Sequence, residues 1–143
     1  MHRKSAGSAA IHHVLFGKPS MTVLVDIRGL LMMENGDIYD LLYRLGITAK
    51  YVGFLHVSYD VRLILIQPER IQLVTKWLYP DVAKHYGTNW KAVERNIRTV
   101  ISIAWDLRPE VLDQIAGRHL EHKPRASQFL AILAAYFRLG KAA

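Results

Sequence analysis

Between Thr88 and Trp105 the chain reads TNWKAVERNIRTVISIAW, and no other stretch constrains the fold as much. At ~100° per residue, Val93, Ile97, Val100, Ile101 and Ala104 fall on one side of a helix. Lys91, Glu94, Arg95, Arg98 and Ser102 fall on the other. The apolar stripe demands a core to face. The opposite side is basic rather than merely polar, and its charges sit in the N-terminal half. Just upstream, PDVAKHYG predicts a short helix opened by Pro80 and closed by Gly87. A short helix, a glycine turn and a longer helix with early basic residues follow the helix-turn-helix plan. In that plan the second helix enters the major groove, and its N-terminal residues reach base edges. A surface helix with a solvated charged face is the plain alternative, and spacing alone favours it.

The remainder of the chain reads as helical from Asp37 onward. DIYDLLYRLG places Ile38, Leu41, Leu42 and Leu45 at helical spacing, with Gly46 as the stop. A second helix is expected over roughly 51–66. A third follows in QPERIQLVTKWLY, with Pro68 in its first turn. PEVLDQIAG gives a short helix between Pro109 and Gly117. SQFLAILAAYFRLG gives a last one, with Ser127 as N-cap and Gly140 as stop. The fold class expected is therefore all-α, a compact helical bundle. Residues 1–36 are read as an N-terminal arm and 37–143 as the domain. Within the arm, TVLVDI has the alternation of a strand, and His12-His13 carries no distinct role.

Composition bears on the partner. Net charge is +7 with a pI of about 9.8, which favours an anionic partner such as nucleic acid. There is no cysteine, hence no disulfide, thiolate nucleophile or thiolate metal site, as expected of a cytoplasmic protein. The longest apolar run, FLAILAAYF, is far short of the ~18–20 residues of a membrane span, so no membrane partner is expected. His119-Leu120-Glu121-His122 resembles a ligand pair, but a lone His-x-x-His makes a poor metal site. No Ser/His/Asp set, phosphate-cradling loop or paired-carboxylate motif is present. The expectation is no cofactor, no metal and no enzymatic activity. Trp77, Tyr79 and Trp105 are read as core or half-buried rather than as stacking platforms.

Residues 78–105, LYPDVAKHYGTNWKAVERNIRTVISIAW, resemble the C-terminal effector domain of the sporulation stage-zero response regulator, a transcription factor of endospore-forming bacteria. LYPD, VER and IAW stand in register with that family's pattern. RLGITAKYVGFLHVSYDVRLI at 44–64 and KPRASQFLAILAAYFRL at 123–139 extend the similarity over roughly 37–140. The resemblance implies a sequence-specific double-stranded DNA-binding regulator of the response-regulator type. It implies helix 90–105 in the major groove, often as a homodimer on tandem sites, and contact with the sigma subunit of RNA polymerase. Carried over, Glu94 and Arg95 read bases and Arg98 belongs to the same helix. Lys123 lies in the loop before the last helix. Thr88, Lys91 and Arg125 complete the expected backbone contacts. Arg suits guanine O6 and N7 bidentately, and Glu accepts from cytosine N4.

The sequence also departs from the family pattern. The 36 residues ahead of the domain are too few for a receiver and show no acidic cluster around a phosphorylatable Asp. Ala92 stands where the family has Arg, which removes one base contact worth ~1–3 kcal/mol. Trp90 stands where the family has a small residue, placed to pack on the preceding helix or reach the DNA backbone. These departures keep a second function open. In it, the chain is a protein-interaction module that binds the sigma subunit or a full-length relative.

Overall fold

The structure is a computed structural model, and it describes residues 35–140. The TVLVDI and His12-His13 readings lie outside these residues. Among the described residues there are six α-helices and no strand. They are α1 (Asn35–Arg44), α2 (Val52–Ile66), α3 (Tyr79–Tyr86), α4 (Trp90–Leu107), α5 (Pro109–Ala116) and α6 (Ala126–Arg138). The expected all-α bundle is the observed architecture.

The hub of the bundle is α2. Its sequence, VGFLHVSYDVRLILI, is apolar nearly all round, and such a helix is stable only when surrounded. It packs against α1, α3, α4 and α6. Its tightest neighbour is α4. A Cβ added at Gly53 would lie 2.5 Å from the Asn96 carbonyl oxygen and 2.6 Å from Val100 Cγ2. Glycine therefore lets the two helix backbones approach more closely than any side chain allows. Beside it, Phe54 is buried against the rings of Tyr39 and Tyr43, 4.9 and 5.3 Å away between centroids.

One segment departs from expectation. Residues 68–78 do not form a regular α-helix. A 3₁₀ stretch, Pro68–Leu73, runs into a π-turn, Val74–Leu78, across Leu73 at φ −140°. The cause is Arg70, a guanidinium buried to 6% exposure that needs acceptors inside the fold. Its Nη1 donates to the Trp77 carbonyl at 3.0 Å and to Asp81 at 2.6 Å, and its Nε to Gln67 Oε1 at 3.1 Å. The backbone wraps around this side chain, and the Asp81 contact pins the first turn of α3. The final helix also starts earlier than expected. Phe129 N–H donates to the Arg125 carbonyl at 2.8 Å, so Arg125 occupies the cap and Ser127 sits inside the first turn.

Candidate nucleic-acid interface

The geometry of α3 and α4 follows from two local devices. Gly87 adopts the left-handed conformation, φ 66° and ψ 39°, which lets Thr88 N–H return to the Ala83 carbonyl at 2.9 Å. This six-to-one bond closes α3 and turns the chain sharply. Asn89 then caps α4, its side-chain oxygen accepting from Ala92 N–H at 2.9 Å. Asn is among the preferred capping residues, so Asn89 is legible in the sequence as the start of α4, beside Thr88, the expected backbone contact.

The division of α4 into two faces is as the periodicity requires. Val93, Ile97, Val100, Ile101 and Ala104 are all buried. Lys91, Arg95 and Arg98 are exposed. The helix runs two residues beyond the expected end, to Leu107, and so takes in Asp106. Glu94 is only half-exposed and forms an ion pair with Arg98 at 3.4 Å, one turn on. Lys91 Nζ lies 5.8 Å from the Trp90 ring centroid, over the face of an aromatic that remains 38% exposed. Ala92 is buried, so no group reaches outward from the position where the resemblance expects Arg.

The loop before α6 comes to the same side. Lys123 Nζ donates to Ser102 Oγ at 3.1 Å, tying the loop to the middle of α4. A groove of about 610 Å³ runs between them, with Glu94, Arg98 and Ser102 on one wall and Lys123, Arg125 and Ser127 on the other. Four of the seven nominated residues, Glu94, Arg98, Lys123 and Arg125, thus line one concavity. Arg95 is exposed on the same helix and does not line the groove. Thr88 and Lys91 are exposed at the start of that helix. Tyr79 forms part of the groove floor, fully buried, with a hydroxyl that has no partner. Burial is the main cause that pushes that hydroxyl well above its ordinary value.

The His-x-x-His segment has a structural role. His119 Nδ1 lies 2.8 Å from Asp113 Oδ2, while Asp113 Oδ1 accepts Leu120 N–H at 3.0 Å. These two bonds hold the Asp113 carboxyl below the usual carboxylate range, the backbone bond being the larger cause. The pair fastens the loop that follows the left-handed Gly117. Among the described residues no three His, Cys, Asp or Glu side chains gather as a metal site. Trp77 and Trp105 are half-buried, and Tyr79 is in the core, as their positions in the sequence suggest.

A short helix, a glycine turn and a capped longer helix with a basic outer face define a helix-turn-helix domain. Residues 38–137 match the family model described as Sporulation initiation factor Spo0A C terminal. The chain belongs to that family, which consists of DNA-binding effector domains of sporulation regulators and is not a family of enzymes. No helix among the described residues is long and apolar enough to cross a membrane.

Proposed function

We propose that this domain is a sequence-specific reader of double-stranded DNA that inserts α4 into a major groove. The observation that carries the reading is the exposed basic face of α4, beginning directly behind the Gly87 turn and continued by Lys123 and Arg125. Glu94 and Arg95 read base edges. Thr88, Lys91, Arg98, Lys123 and Arg125 hold phosphates and set the register. The Glu94–Arg98 pair keeps the acceptor extended along the helix face before DNA arrives. With Ala92 buried, the residue that the family pattern uses there adds no base contact, so the preferred box is read through fewer side chains. The proposal takes 37–143 as the DNA-binding unit. The sigma subunit of RNA polymerase and a second copy on tandem sites are its protein partners.

Fluorescence anisotropy with a duplex carrying the family-type box and a scrambled duplex, at two salt concentrations, tests this. Tighter binding to the box, weakening steeply with salt, is expected. Arg95→Ala is expected to cost ~1–3 kcal/mol of box affinity and to relax discrimination, with the fold intact by circular dichroism. Full affinity and specificity in that variant would remove Arg95 from the base-reading set. Salt-insensitive, equal binding to both duplexes would leave the protein-interaction role as the better reading.

A further inference from the structure

The hub helix α2 carries a polar cluster that DNA reading does not use. Asp60 is 0% exposed, and neither of its carboxyl oxygens has a hydrogen-bond partner. His56, one turn earlier, is 2% exposed with Nδ1 unpartnered. The Tyr79 hydroxyl, on the first residue of α3, is likewise buried and unpartnered.

The surroundings offer Asp60 no counter-charge. The buried residues of α1, α4 and α6 are apolar: Ile38, Leu41 and Leu42; Val93, Ile97 and Val100; Phe129, Leu130 and Leu133. On α3 the facing titratable groups are the phenols Tyr79 and Tyr86, which an ionised Asp60 would push upward, and His85, whose ring stacks on Tyr59 of α2 at 4.1 Å between centroids. Glu94 and Arg98 of α4 also act on Tyr79 and are paired with each other. Arg70 of the 3₁₀ segment is committed to Asp81. On α2 itself, the Arg62 guanidinium interacts with the Tyr39 and Tyr59 phenols, and His56 is held below its ordinary value by burial and so carries no charge to offer at neutral pH. An ionised carboxylate with neither hydrogen bond nor counter-ion is not tolerated in such an interior, and the group takes up a proton instead. A protonated carboxyl presents one O–H donor and keeps acceptor capacity, a better match for a neutral polar cluster.

We propose that Asp60 is the protonated acid in the folded domain at neutral pH, and that its ionisation makes the seat of the helix-turn-helix unstable toward alkaline pH. Burial acts in the required direction, raising the carboxyl well above its ordinary range. The sign follows from proton counting. Above the unfolded value of ~3.9 the unfolded chain has released this proton while the folded chain keeps it. Stability therefore falls as pH rises through that interval, and the loss is complete once pH passes the folded value. His56 acts oppositely, but only below ~6.5, its ordinary value. Between pH 7 and the folded value of Asp60, the His56 contribution is constant and that of Asp60 is not. The latter amounts to a tenfold rise in the unfolding constant per pH unit, ~1.4 kcal/mol.

Urea unfolding of the full chain and of Asp60→Asn between pH 7 and 9 tests this without DNA, so its result is independent of the DNA-reading role. Stability of the parent is expected to fall with rising pH relative to Asp60→Asn, which keeps the shape and removes the ionisation, the difference approaching tenfold per pH unit in the unfolding constant while Asp60 stays protonated. Parallel slopes in the two proteins would overturn the proposal. Should Asp60→Asn fail to fold, carboxyl ¹³C resonances of the aspartate-labelled parent decide. One resonance retaining the acid-form shift at pH 7 supports the assignment, whereas ionisation of every aspartate in the ordinary carboxylate range refutes it.

Discussion

The helices α2 and α4, packed together at Gly53, use opposite sequence strategies. α4 keeps its apolar and charged residues on separate faces. One face packs, and the other is free to meet a partner. α2 is apolar nearly all round, and three of its polar residues, His56, Ser58 and Asp60, are inside the protein while Arg62 is half-buried. Ser58 solves its burial locally by donating to the Phe54 carbonyl at 2.7 Å. Asp60 has no such recourse. The lesson is that a polar residue's meaning depends on the helix that carries it. On α4 charge is available for recognition at little cost in stability. On α2 it is a constraint on the whole fold.

This contrast can be broken in graded steps. The largest effect belongs to the hub. Phe54→Ala removes a fully enclosed ring and is expected to lower unfolding free energy by ~3–5 kcal/mol in urea titration. A loss under 1 kcal/mol would mean that α2 is not the centre of the packing. Next comes the crossing point. Gly53→Ala should gain helix propensity in isolation, but here the new methyl meets the Asn96 backbone. A net loss of ~1–3 kcal/mol is expected, with weaker box binding because α4 itself must shift. Unchanged stability would show that the helices have room to separate. The smallest effect lies at the start of α4. Asn89→Ala should cost ~1 kcal/mol through the lost cap, with Asn89→Asp restoring most of it.

Much of the binding face could be read directly from residues in order. The five apolar positions of α4 are all buried, and the glycines expected to stop α1, α3 and α5 adopt positive φ. Both signals are local: periodicity and a backbone conformation that only glycine enters cheaply. The segment 68–78 departs from its pattern for the opposite reason. Its apolar content suits a helix, but Arg70 takes partners at Trp77 and Asp81, and only the folded chain brings them to it. Gly53 gave no warning either, because an interior helical glycine has meaning only when a neighbouring backbone is known.

By itself, the sequence determined the helices, the turn between α3 and α4, the side of α4 left to water and the family to which the chain belongs. Those follow from spacing, from turn chemistry and from motifs that survive as strings of letters. Tertiary structure alone decided that Lys123 and Arg125 come to the same groove as Arg98. It alone decided that Asp60 is enclosed without a partner. Burial and distance between residues remote in the chain depend on how helices pack, and no single helix's pattern contains that information.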